Sequence, residues 1–463
     1  MAGFSDFYQH FPDYHVGDIT TNRFRVENYH DLLHKLARPF QVATAGHSVE
    51  GRPIYRITLG QGPVKVLMWS QMHGNESTAS RALLDMLNFF ADPGELFRPW
   101  VEELLSALTI TLVPMLNPDG SARFMRRNAL HIDLNREARS LVSPEARLLH
   151  DLVKEVKPHV AFNLHDQRRF YNIAGSSKPS TMAFLAPACD QQETVPDNRL
   201  RAMQIIATLR QQLEQVIPGQ VGLYDDSYSP RAFGDWVQGT GAATILVEAG
   251  WQAGDPEKEY VRRLHFATLL HALALCAAKE HTGFAEADYR QIPMNDEKLF
   301  DVLLRQLTVE VDGKHYQTDL GIRHQEITRP DGITWYRQGA IEEVGDLQEW
   351  YGFAEPDVAG LEVRAGRVVD KMPATSDEAL ALLREGYLFA EIENLLEEPF
   401  TDLPINLVRK GTRPPAFGFE QPANFVLTEK GGAIRFVCLN GFCWEVSKTP
   451  PANMHGLVFD RYY

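Results

Sequence analysis

The chain has 463 residues, 44% of them hydrophobic and 23% charged, with 46 Lys and Arg against 61 Asp and Glu for a formal charge of −15. At about 100–200 residues per domain this length allows two to four cores. The acidic balance excludes a broad nucleic-acid or anionic-membrane footprint, which needs clustered Lys and Arg, and the 10% aromatic content excludes a largely disordered chain.

The N-terminal MAGFSDFYQHFPDYH has neither the basic nor the apolar region of a signal peptide. No run approaches the ~20 apolar residues of a membrane span, so a cytoplasmic location is expected. Val64–Ser70 (VKVLMWS) reads as a buried strand and Ser77–Ala91 as an amphipathic helix. Leu108–Met115 and Val160–Leu164 read as further strands, and Thr244–Val247 closes the series before a long helix from about Lys258 to Lys279. Strands alternating with helices predict an α/β domain over residues 1–285 with a mainly parallel or mixed sheet.

Beyond about Gly283 the texture changes to alternating segments (LTVEV, YQTDLGI, GLEVRAGRVV, NFVLTE, AIRFVCL) with turn signals at Asp312-Gly313 and Gly431-Gly432. One helical piece, Ser376–Arg384, interrupts them. A smaller β-rich α+β domain over 286–463 is expected, with no chemical motif of its own. Cys438 and Cys443 flank Asn440-Gly441, a hairpin signal that sets them across two strands. Four cysteines without a CxxC pair indicate neither a zinc ribbon nor a disulfide framework.

Ligands of open α/β sheets gather beyond the C-terminal ends of the strands, and four expected strand ends carry polar residues. They are QMHGNES with His73 and Glu76, NPDG (Asn117 to Gly120) followed by RRNALHIDLNRE, LHDQ with His165, and Glu248. Two imidazoles and a carboxylate make a three-ligand zinc site with a fourth position open to water. Zinc lowers the pKa of bound water to about 7, and Glu248 is the candidate general base for it. Taken singly, His165 reads as a core or surface histidine and Glu248 as a paired structural carboxylate. A second HxxE, His47 to Glu50 in AGHSVEGRPI, lies in a polar loop ahead of the strands and reads as structural. The ordered conjunction at strand ends carries the zinc reading.

Together HSVEGRPIY, HGNE, NPDG, RRNALHIDLNR, NLHD and the strand ending in Glu248 resemble the zinc carboxypeptidases of the M14 class over about residues 45–250. The resemblance implies a mixed-sheet α/β domain with helices on both faces. It implies His73, Glu76 and His165 as ligands of one Zn2+ per chain, and Glu248 as general base. It places the substrate's terminal carboxylate on Asn135 and Arg136 and makes Asp133 the partner that orients a ligand histidine. Arg126 would polarise the scissile carbonyl, with Arg127 as the neighbouring alternative. Tyr228 matches the family's mobile tyrosine, with Tyr224 as the alternative.

The expected activity is hydrolysis of the C-terminal peptide bond by zinc-activated water; the alternative is a zinc-dependent amidase or deacylase on N-acyl amino acids or cell-wall-derived peptides. A peptide or small amide is thus the expected partner, with no nucleic acid or membrane, and the oligomeric state stays open. Gly234, just before Asp235, supplies no acid for a basic C-terminal side chain. Arg231, Arg168 and Arg169 read either as a preference for acidic side chains or as surface charges.

Overall fold

The computed structural model describes residues 2–278, 283–393, 397–411 and 413–459; Lys279, the expected end of the long helix, lies outside them. The chain divides into two compact units, Met1–Glu297 with Pro330–Ile333, and Lys298–Arg329 with Thr334–Tyr463. Residues 286–297, which the change of texture assigns to the second domain, fall in the first unit.

The first unit is built on an eight-stranded mixed sheet. Its strands are β1 (Gln41–His47), β2 (Pro53–Leu59), β3 (Val64–Ser70), β4 (Leu108–Val113), β5 (Val160–Asp166), β7 (Met182–Leu185), β8 (Val221–Leu223) and β9 (Ala243–Ala249). They lie in the order β1-β2-β4-β3-β5-β9-β7-β8. Two short strands, β6 (Asn172–Ile173) and β10 (Asn295–Asp296), pair with each other. The central strands β4, β3, β5 and β9 run parallel, and β5 and β9 are buried almost throughout. Unbroken apolar runs such as VLMW and ILV are what a strand covered on both faces needs. β1, at the edge, is exposed or half-buried along its whole length. β4 ends at Val113 rather than the expected Met115, because Pro114 has no N–H to give the ladder.

Helices cover both faces. Against one face pack α1 (Phe4–Tyr14), α2 (Val26–Leu36), α3 (Thr78–Ala91), α4 (Gly94–Ala107), α7 (Asp197–Leu213), α9 (Glu259–Ala277) and α10 (Glu286–Arg290). On the other, α6 (Pro144–Val156) and α8 (Phe233–Gly239) close over Leu67, Trp69 and Ala161. A short helix, α5 (Pro118–Ala122), follows β4. Side chains of a strand alternate between faces, so His165 shares the α6/α8 face with Ala161. The chain leaves β3 first toward β4 and only later returns to its other side at β5. That reversal opens a crevice beyond the C-terminal end of β3, where open sheets bind their ligands.

The second unit is β-rich, as expected. One sheet contains β11 (Leu299–Val311), β12 (Lys314–Thr328), β13 (Trp335–Gly345), β14 (Tyr351–Ala354), β15 (Glu362–Ala365), β20 (Phe425–Thr428), β21 (Ile434–Leu439) and β22 (Phe442–Glu445). The other holds β16 (Arg367–Val369), β17 (Tyr387–Ile392), β18 (Phe400–Thr401), β19 (Asn406–Arg409) and β23 (Gly456–Phe459), with α11 at Ser376–Arg384. Asp312 and Gly313 take positive φ between β11 and β12, as a two-residue hairpin turn requires. Among the described residues, no helix is long and apolar enough to cross a membrane.

Candidate metal centre and active site

The loop after β3 is held by the NPDG stretch. Asn117 donates to the carbonyl of Met72 (3.2 Å) and accepts from the N–H of Gly120 (2.8 Å). Gln71 donates to the carbonyl of Gly74 (2.8 Å) and to Ser121 (3.1 Å). A Cβ at Gly74 would lie 2.0 Å from the carbonyl carbon of Gly120, so only glycine allows the two loops to meet this closely. Asp119 ties in the second HxxE, accepting from Ser48 (2.7 Å), from the Glu50 N–H (3.0 Å) and from Arg52 (2.7 Å). Glu50 pairs with Arg123 and Arg52, whose hydrogen bonds hold its carboxyl down at about 2. Ser48, Glu50 and Arg52 thus brace the loop through Asp119.

His73, Glu76 and His165 converge, with one ligand atom from each lying within 4.8 Å of the others. His73 Nδ1 is 2.8 Å from Glu76 Oε1, and His165 Nδ1 is 2.7 Å from Glu76 Oε2. All three residues are buried. The other nitrogen of His73, Nε2, lies 3.0 Å from Asp133 Oδ1. When Nε2–H donates to that carboxylate, Nδ1 is left as a lone pair facing another carboxylate oxygen. Two imidazoles and a carboxylate gathered on one point are a donor set that fits a divalent metal. Nitrogen and carboxylate donors with a carboxylate behind one histidine suit Zn2+.

The charges follow this geometry. Burial would raise Glu76, but the charges and hydrogen bonds of His73 and His165 hold its carboxyl well below the usual range. Burial is likewise outweighed at Asp133, where His73, Arg126 and Arg136 keep the carboxyl low. Glu248 is the opposite case: burial first, then the charges of Glu76 and Asp166, push it well above the ordinary carboxylate value. It stands in register beside His165 on the neighbouring strand. Its Oε2 is buried without a hydrogen-bond partner, as is Nε2 of His165.

Arg126 donates to Glu76 Oε1 (3.0 Å) and to Asp133 Oδ2 (3.1 Å). Arg127 turns onto the carbonyl of His131 (2.9 Å), so of the two candidates it is Arg126 that faces the centre. Asn135 accepts from the N–H of Phe233 (3.0 Å) at the start of α8, while Arg136 is exposed. Tyr224 feels the Glu248 charge, and burial, that charge and a hydrogen bond with Tyr171 raise its phenol far above its ordinary value. Tyr228 is half-buried in the loop whose Ser229 N–H donates to Asp235 (2.8 Å). Arg168 pairs with Glu297 (2.7 Å), Arg169 stands over the Phe170 ring, and Arg231 donates to the Arg136 carbonyl (3.3 Å). A Cβ at Gly234 would lie 3.2 Å from Pro187 and 3.6 Å from Asn163.

Two partners near the centre, Thr78 and Lys258, have no motif in the sequence. Asp166, the residue after His165, accepts from Thr78 (2.5 Å) and from Lys258 (3.1 Å), and Lys258 also donates to the Ala249 carbonyl (3.2 Å). One ammonium therefore ties the end of β5 to the end of β9. Lys258 does this from a left-handed backbone conformation (φ 53°) just before α9, which no pattern of residue types announces.

Residues 27–198 match the zinc carboxypeptidase family. The chain is 28% identical over 130 residues to a probable carboxypeptidase 2 of Trichophyton verrucosum, covering 28% of this chain and 23% of that protein. It is 31% identical over 104 residues to carboxypeptidase 2 of Trichophyton rubrum, covering 22% of this chain and 19% of that one. The chain thus spans about a fifth of the length of these curated relatives. A metallo-carboxypeptidase of Burkholderia cenocepacia of known structure is 19% identical, covering 54% of this chain and 69% of its own, with a TM-score of 0.45. The matched stretch contains His73, Glu76, Arg126, Asp133 to Arg136 and His165, with Glu248 beyond it, and through that stretch the chain resembles the zinc carboxypeptidases of the M14 class.

Proposed function

We propose that this chain is a zinc metallocarboxypeptidase that removes the C-terminal residue of peptides. The convergence of His73, Glu76 and His165, with Glu248 in register beside His165, is the observation that carries the reading. These three residues would hold one Zn2+ per chain. Bound there, zinc supplies Lewis-acid polarisation of the scissile carbonyl and acidifies the attacking water.

The remaining work falls to the chain. The Arg136 guanidinium and the Asn135 amide take the substrate's terminal carboxylate, a charge-assisted contact that only a free C-terminus offers. This fixes the last peptide bond over the centre and makes the attack effectively intramolecular. Glu248, raised by its burial, accepts the water proton at Oε2 and passes it to the leaving amine. Arg126 lies where it can donate to the developing oxyanion. Of the two tyrosines, the surroundings of Glu248 favour Tyr224 as the phenol within the site, and Tyr228 as the one carried by the loop before α8.

Equilibrium dialysis against Zn2+ tests the metal half of this reading. One zinc per chain is expected, lost in His73→Ala and in His165→Ala. Zinc retained by both variants would place the metal elsewhere.

A further inference from the structure

In the second unit, Cys438 on β21 and Cys443 on β22 are direct register partners. The turn between the strands is Asn440-Gly441, both with positive φ (46° and 77°), the conformation a type I′ hairpin requires. In such a hairpin Leu439 and Phe442, which flank the turn, are the hydrogen-bonded pair. The next pair along is non-hydrogen-bonded, with Cα atoms about 4.5 Å apart and side chains close. A disulfide needs Cα atoms about 4.4–6.8 Å apart, so the cysteines stand where a bond closes without backbone movement.

The hairpin is also pinned. Asn440 is fully buried; its side chain accepts from the Gly339 N–H (2.9 Å), and its own N–H donates to Asn424 (2.7 Å). The Gly441 N–H donates to the Ala423 carbonyl (3.0 Å). The two thiols differ in access: Cys438 is buried in a core with Phe425 and Leu427, and Cys443 is half-buried at its edge. Cys443, the more accessible thiol, is the one an external disulfide meets first, while burial and a hydrogen bond with Cys443 raise the Cys438 thiol.

We propose that Cys438 and Cys443 form a thiol–disulfide exchange site that reacts with small-molecule disulfides of the glutathione type and closes to an intrahairpin disulfide. The Cys443 thiolate attacks one sulfur of the small disulfide, whose S–S bond breaks, and one glutathione leaves as thiolate to take up a proton. Cys438 gives up its proton as its sulfur attacks the Cys443 sulfur of the mixed disulfide; the Cys443–glutathione S–S bond breaks, and the second glutathione leaves as thiolate and takes up that proton. Two protein thiols are oxidised and one glutathione disulfide is reduced to two thiols.

The test uses the full chain with Cys189→Ser, which removes the other half-buried thiol, incubated with excess oxidised glutathione and analysed by intact mass and thiol titration. Two thiols should disappear with the loss of two hydrogens and no adduct, and dithiothreitol should restore both. The tryptic fragment 436–448 should contain the link. Adding Cys438→Ser should leave a stable glutathione adduct on Cys443. A lasting adduct on the Cys189→Ser chain, or three thiols still titrating, would overturn the proposal.

Discussion

His165 and Glu248 are register partners on the parallel strands β5 and β9, so the backbone ladder itself places the candidate base beside a candidate metal ligand. Register partners point to the same face of a sheet, and a slip of one residue would turn Glu248 into the core. Glu248→Gln keeps the shape and removes the proton acceptor. Turnover should fall about 10²–10⁴-fold while zinc content, measured by atomic absorption, stays at one per chain. Loss of zinc would instead make Glu248 a ligand.

Asp133 supports the centre from behind by accepting from His73 and Arg126. Asp133→Asn should weaken zinc binding about 10–100-fold, read by competition with a chelator, with the folded structure retained. Unchanged affinity would leave His73 oriented by its own loop alone.

Arg136 has a separable task. Arg136→Ala removes a charge-assisted hydrogen bond worth about 1.5–3 kcal/mol, so KM for peptides with a free C-terminus should rise at least tenfold with zinc content unchanged. An equal loss on amidated peptides would show that Arg136 does not hold the carboxylate.

Asp235 sets a pH dependence away from the metal. Burial pushes its carboxyl up to about 6, well above the ordinary aspartate value, against the opposing hydrogen bond from Ser229. A carboxyl raised in the folded state binds its proton more tightly there than in the unfolded chain, so stability falls as pH rises from about 4 to 6. The penalty, on the order of 2 kcal/mol, is complete above pH 6 and relieved below 4. Asp235→Asn should therefore raise Tm at pH 8, with the gain fading by pH 4. A gain independent of pH would mean that the buried charge is not its source.

Much of this site was legible in the sequence because its residues sit at the ends of apolar strands, and apolar runs are easy to read. The expected bounds of β3 and α11 match, and β5 differs only in running on through His165 to Asp166. Motif spacing does not separate Arg126 from Arg127, whereas the loop's path turns the first guanidinium to Glu76 and the second to a backbone carbonyl. Spacing to Asp235 points to Tyr228 and says nothing of which phenol the fold brings under the Glu248 charge, which is felt at Tyr224, just after β8. The Lys258–Asp166 tie spans 92 residues and depends on a left-handed lysine, so only the folded chain shows it.

C-terminal hydrolysis, as proposed, depends on a free carboxylate. Its most direct test is mass spectrometry of a mixed peptide pool, half with free and half with amidated C-termini, after incubation with the zinc-loaded chain. Stepwise loss of single residues from the free ends alone is the predicted result. No cleavage, or cleavage indifferent to amidation, would contradict it and remove the roles given to Asn135 and Arg136.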